Sequence, residues 1–92
     1  MNKADLINVV AESSGLSKKD TERVINNTIK AISDALVEGD KVQLVGFGVF
    51  EVKSRAARVG RNPRTSESIS IPASRLPLFK AGKALKDAVA EG

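Results

Sequence analysis

A chain of 92 residues is long enough for one domain with a thin core and too short for two. It has no cysteine and no histidine, which excludes a disulfide framework and a thiolate zinc site and removes the usual general base near neutral pH, so the expectation is a protein that is not an enzyme and needs no metal or cofactor. The net charge of +4 is unevenly spread: Val52 to Ser66 holds Lys53, Arg55, Arg58, Arg61 and Arg64 with no acid, and the rest of the chain sets ten Lys and Arg against eleven Asp and Glu.

The first five residues, Met1 to Asp5, carry an amide and an acid where a signal peptide needs a basic head and an apolar run, and no apolar stretch reaches membrane-spanning length; the expected location is the cytoplasm. Asn2 caps a first helix with Asp5 as its capping-box partner, Leu6, Val9 and Val10 recur at helical spacing, and Ser13-Ser14-Gly15 ends it. Ser17 and Asp20 repeat the cap for a second helix. Its aliphatic positions Val24, Ile25, Ile29, Ile32, Ala35 and Leu36 follow the i, i+3/i+4, i+7 rule up to Gly39. A helix pair of this kind suggests a helix-turn-helix reader, but the second helix mixes its few basic residues with Asp20, Glu22 and Asp34. Its regular face is aliphatic, which fits core and dimer interface better than a groove. The acidic pairs Asp20/Glu22 and Glu38/Asp40 stand at the helix ends, where carboxylates are ordinary capping groups.

After Asp40 the period changes from helical to alternating. Val42 and Leu44 share one face of a first strand, Gly46-Phe47-Gly48 makes a tight connection, and a second strand runs from Val49 to about Val59. Ile69 and Ile71 alternate in a third strand ending at Pro72, and the Gly60-Arg61-Asn62-Pro63 tip makes the hairpin too long and too polar to pack wholly on a small body, so its outer half should project. Gly82 to Ala90 reads as a short helix with Leu85 and Val89 inward. The expected order is α-α-β-β-β-α.

Arg55, Arg58, Arg61 and Arg64 recur every third residue. Gly60 and Pro63 argue against a helix there, and in an extended chain a spacing of three sends successive side chains to opposite faces, as a ribbon clamping phosphates on both flanks requires. A solvated charge run is the competing reading, and the Ile69/Ile71 alternation counts against it. Lys80, Lys83 and Lys86 form a smaller basic patch whose competing reading is a plain solvated helix face. Asn62-Pro63-Arg64-Thr65 reads on local sequence first as a turn; the competing reading is an exposed tip whose Pro63 enters a base step as a wedge, and the two are compatible. Three Phe and no Tyr or Trp leave little for stacking on single strands. Gly46 to Phe50 partly matches an RNA-recognition pattern, but Val45 stands where a Lys or Arg belongs and Val49 where an aromatic belongs.

Taken together, Gly46-Phe47-Gly48-Val49-Phe50, Arg55, Arg58 and Gly60-Arg61-Asn62-Pro63-Arg64-Thr65 closely resemble the signature of the bacterial histone-like HU and integration host factor family. The similarity extends to Met1 to Leu6, Ile71-Pro72-Ala73-Ser74 and Gly82-Lys83-Ala84-Leu85-Lys86, and is greatest toward HU. The resemblance implies an α+β fold: an intertwined dimer with an α-helical body under a three-stranded antiparallel β-saddle and a protruding β-ribbon arm. The whole chain, 1–92, would be one DNA-binding domain, with 1–39 the helical dimerisation body, 40–76 the sheet with its arm at about 53–74, and 77–92 the C-terminal helix.

The same resemblance implies a non-enzymatic nucleoid protein of the bacterial cytoplasm that binds double-stranded DNA largely without sequence specificity, wrapping the minor groove and bending the duplex. Lys53, Arg55, Arg58, Arg61, Asn62, Arg64 and Thr65 would contact DNA from the arm, Pro63 would intercalate, and Lys3, Lys80, Lys83 and Lys86 would hold the flanks. Ile29, Ile32, Leu36, Leu44, Phe47, Phe50 and Phe79 would close the dimer core, in a homodimer or a heterodimer with a related chain. Bent or nicked DNA, RNA, a sequence-preferring role like that of integration host factor, and docking on an acidic protein are the alternatives. Two residues depart from the family pattern: Ser66 replaces the usual glycine after the tip threonine and Ala81 a proline before the last helix, which puts arm geometry and the start of that helix in question.

Overall fold

Asn2 begins helix α1 as the local chemistry requires: its side chain accepts the Asp5 N–H at 2.9 Å, and the Asp5 carboxylate accepts the Asn2 N–H at 3.2 Å. The computed structural model describes residues 1–92, with α1 over Lys3–Ser14 and α2 over Lys18–Val37. Gly15 ends α1 in the left-handed conformation (φ 74°), its N–H donating to the Ala11 carbonyl at 3.0 Å. At the start of α2 the Ser17 hydroxyl accepts the Asp20 N–H at 3.1 Å. The chain divides into two compact units, Met1–Ala35 and Leu36–Gly92.

In the first unit Ala11 and Thr21 are the buried side chains, and the Thr21 hydroxyl is satisfied by donating to the Ser17 carbonyl at 2.8 Å. The aliphatic stripe read from the sequence is only partly covered: Leu6, Val9, Val24 and Ile29 are exposed in the single chain, whereas Ile25, Ile32, Ala35 and Leu36 are half-buried.

The second unit is built on antiparallel pairing. β1 (Val42–Leu44), β2 (Gly48–Arg55) and β5 (Ser74–Ala81) form a three-stranded sheet in the order β1-β2-β5, and β3 (Arg58–Arg61) and β4 (Ser68–Ile71) form a two-stranded ribbon. Helix α3 follows over Lys83–Glu91. The register places Phe50 opposite Phe79 and Val42 opposite Phe50, so that these residues share one side of the sheet. The Phe79 ring packs against Phe50 and Phe47 at centroid distances of 4.8 and 5.3 Å. Even so, Phe47 and Phe79 remain 45% and 42% exposed, as Leu44 does to a similar degree. Gly48 is buried at the point of closest approach: a Cβ there would stand 2.6 Å from both the Lys80 carbonyl oxygen and the Phe79 ring.

Two sequence expectations change. The single strand expected from Val49 to Val59 is interrupted at Ala56-Ala57, giving β2 and β3, and the strand bearing Ile69 and Ile71 belongs to the ribbon rather than to the main sheet. The third strand of that sheet is Ser74–Ala81, which runs past the expected sheet boundary at residue 76 and into the segment assigned to the C-terminal helix. Pro77 hides this strand from sequence reading, because proline is excluded from central strands. It is tolerated here because β5 pairs on one side alone, with β2.

Candidate nucleic-acid interface

Alternation along β2 sorts its side chains. Opposite the Phe50/Phe79 side, the pairs Val49/Lys80, Glu51/Leu78, Lys53/Leu76 and Arg55/Ser74 place Lys53, Arg55 and Lys80 on one common face. The sheet therefore has an aromatic side and a basic side, and the basic side contains one carboxylate, Glu51. Its Oε1 lies 2.8 Å from Lys80 Nζ and its Oε2 3.7 Å from Lys41 Nζ. The Lys80 hydrogen bond, aided by the charges of both lysines, holds the Glu51 carboxyl below the usual glutamate range.

The pairing continues into the ribbon without a change of register. Arg55 faces Ser74 and Arg58 faces Ile71, so two residues are skipped on each strand, Ala56-Ala57 and Pro72-Ala73. Pro72 has no N–H to give to a ladder at this break. Within the ribbon, Arg58 and Ile71 share a face with Gly60 and Ile69, and Arg61 shares the opposite face with Val59, Ser68 and Ser70. The three-residue arginine spacing thus does send Arg58 and Arg61 to opposite sides.

The tip is an ordered turn. The Asn62 N–H donates to the Glu67 carbonyl at 2.9 Å, the Ser66 N–H donates to the Asn62 carbonyl at 2.7 Å, and the Asn62 side-chain oxygen accepts the Arg64 N–H at 2.9 Å. Pro63 sits inside this turn and is exposed, as are Arg64 and Thr65. Ser66 takes a left-handed backbone (φ 60°), where a side chain is strained and glycine is not, so the first departure from the family pattern falls at a position where the backbone favours glycine. The second departure, Ala81, is the last residue of β5, opposite Gly48.

Helix α3 is fixed to the β1–β2 turn through the Gly82 N–H, which donates to the Phe47 carbonyl at 2.8 Å. Lys83 and Lys86 project from its first turn, and Lys83 Nζ approaches Asp87 at 3.8 Å. Lys3 belongs to the other unit, in the first turn of α1. Lys53, Arg55 and Lys80 are thus gathered on one sheet face, Arg58 and Arg61 are divided between the ribbon faces, and Asn62 to Thr65 form the tip. Ile32, Leu36 and Phe50 are half-buried, whereas Ile29, Leu44, Phe47 and Phe79 are exposed in the single chain.

Sequence reasoning missed Lys41, an isolated lysine before β1, and Arg75, whose guanidinium reaches the Leu36 and Val37 carbonyls at 3.1 and 3.0 Å. Neither carries a local signal, because each acts on a partner far away in the chain.

The family described as bacterial DNA-binding protein matches residues 1–90. The chain belongs to the bacterial HU DNA-binding protein family. It is 63% identical to the DNA-binding protein HU of Geobacillus stearothermophilus over 89 residues, covering 97% of this chain and 99% of that one. It is 62% identical to DNA-binding protein HU 1 of Bacillus subtilis (strain 168) over 90 residues, covering 98% of each. Among solved structures, that of Anabaena HU in a cocrystal with DNA matches over the full length of both chains, with a TM-score of 0.85 and 47% identity. Thermotoga maritima HU carrying V42I matches with a TM-score of 0.73 and 38% identity, over 97% of this chain and 99% of that one. Membership of the HU family makes this a histone-like, non-enzymatic protein with an α+β fold of three helices and antiparallel sheets. No helix is long and apolar enough to cross a membrane.

Proposed function

We propose that the chain works as a dimer of identical subunits that binds and bends duplex DNA in the bacterial nucleoid, largely without reading sequence. The observation that carries this reading is a sheet with one aromatic side and one basic side, where the basic side passes in unchanged register into an arginine ribbon. The aromatic side suits a second copy. Leu44, Phe47 and Phe79, with Ile29 on α2, are large apolar groups left open in the single chain, more than a stable monomer of this size tolerates. The basic side suits phosphate.

Lys53, Arg55, Arg58, Arg61 and Arg64 supply backbone contacts along the arm, assisted by Asn62 and Thr65, while Lys3, Lys80, Lys83 and Lys86 hold the flanks. These side chains bind phosphate and sugar, so specificity comes from DNA deformability more than from base edges. Pro63, exposed and held by the Asn62 turn, is the apolar wedge that unstacks a base step and kinks the minor groove. The cocrystal of Anabaena HU with DNA, at 47% identity over the whole chain, supports DNA as the partner.

The test is duplex binding over a salt series with a parallel bending assay, comparing the native chain with Pro63→Ala. Each phosphate contact adds roughly −0.9 to the log–log slope. Native binding that weakens steeply with salt, together with a Pro63→Ala variant that keeps the slope and loses bending, establishes clamp and wedge. Unchanged bending reduces Pro63 to a turn residue, and binding that is absent or flat with salt removes the DNA reading. Sedimentation equilibrium tests the dimer.

A further inference from the structure

Glu51 is out of place in a surface meant for phosphate. It lies on the central strand of the three-stranded sheet, on the side that bears Lys53 and Arg55, and it touches a lysine from each neighbouring edge: Lys80 on β5 and Lys41 just before β1. The Glu51 side chain is only 16% exposed, whereas that of Lys80 is 71% exposed and that of Lys41 similarly so. Ion pairs this open to solvent add little to stability, so the fold gains little from a carboxylate here. Its effect on an approaching phosphate is larger. Two ammonium groups and one carboxylate present a single net positive charge, and Glu51 offers Lys80 the same kind of anionic oxygen that DNA would.

We infer that Glu51 is an internal competitor for phosphate, which partly neutralises the Lys41 and Lys80 ammonium groups and so limits how tightly the sheet, as distinct from the arm, holds the duplex. This rests on the proposed function. The Glu51 carboxylate must release its lysines, or remain beside the phosphates and repel them, and either course subtracts from the counterions that binding sets free. Lys41 thereby joins the DNA-facing groups, as a lysine held in reserve beside Lys80.

Glu51→Gln keeps the shape of the side chain and an oxygen for the Lys80 N–H, and removes the charge. The experiment measures duplex binding over a salt series for the native chain, E51Q, E51D, K80Q and the double variant E51Q/K80Q, with thermal melting of each. The expected result is that E51Q binds about three- to tenfold tighter near 0.1 M salt, with a log–log slope steeper by roughly one to two, one or two further phosphate contacts. E51D, which keeps the charge, stays close to native. K80Q weakens native binding by less than Arg61→Gln does, because Glu51 partly neutralises that lysine, and abolishes most of the gain in E51Q.

Native-like affinity and slope in E51Q overturn the inference. So does weaker binding by E51Q at an unchanged melting temperature, which would make Glu51 a group that aims Lys80 at phosphate. If E51Q folds poorly, K80Q alone decides: a loss as large as that of an arm arginine variant such as Arg61→Gln shows that Lys80 is not neutralised by Glu51. A native chain without affinity for duplex overturns the proposed function together with this inference, whereas a native chain that binds and an E51Q variant indistinguishable from it overturn this inference alone.

Discussion

Arg75 donates from Nη2 to the carbonyl of Val37 at 3.0 Å, and the same nitrogen reaches the Leu36 carbonyl at 3.1 Å. The last carbonyls of a helix have no partners within it and carry the negative end of its dipole. No Lys, Arg or His stands in the last turn of α2 itself, so the guanidinium from the start of β5 supplies the missing positive group. Arg75→Ala should lower stability by about 1–2 kcal/mol, and Arg75→Lys, which keeps the charge and N–H donors but not the planar geometry that aims Nη2 at both carbonyls, by about half as much. Urea denaturation of the three proteins measures this, and equal midpoints would show that water serves the carbonyls as well.

Gly48 is the tightest point of the sheet. Alanine there would drive a methyl group against the Lys80 carbonyl oxygen, which is backbone and cannot swing aside, as well as against the Phe79 ring. Gly48→Ala should cost roughly 1–3 kcal/mol, the usual range for overpacking, and should disturb the Phe47–Phe79 contact. Denaturation midpoints together with the ring-proton shifts of the three phenylalanines check both parts.

Ser66 places a side chain in the left-handed region at the arm tip. Ser66→Gly should relieve up to about 1 kcal/mol of local strain, partly offset by the freedom glycine has in the unfolded chain. The relief is local, so the readout is hydrogen exchange at the Asn62 and Ser66 amides, both of which donate within the tip. Slower exchange there with an unchanged global midpoint is the expected outcome; faster exchange would mean that the serine steadies the turn.

Acid should weaken the Glu51 cluster in a definite direction. The Lys80 hydrogen bond lowers the Glu51 pKa in the folded chain, so its contribution to stability is complete above the ordinary glutamate value and is lost as pH falls through the depressed one. Glu51→Gln has nothing to lose in that window. The small difference in melting temperature between native and E51Q should therefore hold at pH values above the ordinary glutamate range and shrink as pH falls through the depressed value. A difference that does not change with pH would show that the ion pair contributes no stability.

Much of this molecule is legible before any coordinates. The Asn2/Asp5 box, the Gly15 stop and the change of period after Asp40 are short-range effects, carried by residues three or four apart, and each appears where the sequence puts it. The opposed directions of Arg58 and Arg61 follow from the two-residue repeat of an extended chain. The sheet's third strand was not legible, because Pro77 masks it and its permission to form strand depends on which edge of β2 it joins. Lys41 and Arg75 were not legible either, since nothing within a turn of either residue marks its partner.

By itself, then, the sequence determined where the helices begin and end, that the positive charge is concentrated in one arm, and through its motifs the family to which the chain belongs. The tertiary structure decided which residues meet: Phe50 with Phe79, Glu51 with Lys80 and Lys41, Arg75 with the end of α2. The physical reason is range. Capping and periodicity act through neighbouring backbone groups and are written residue by residue, whereas cross-strand partners are set by a register that forms only when β2 and β5, separated by residues 56–73, align as one ladder.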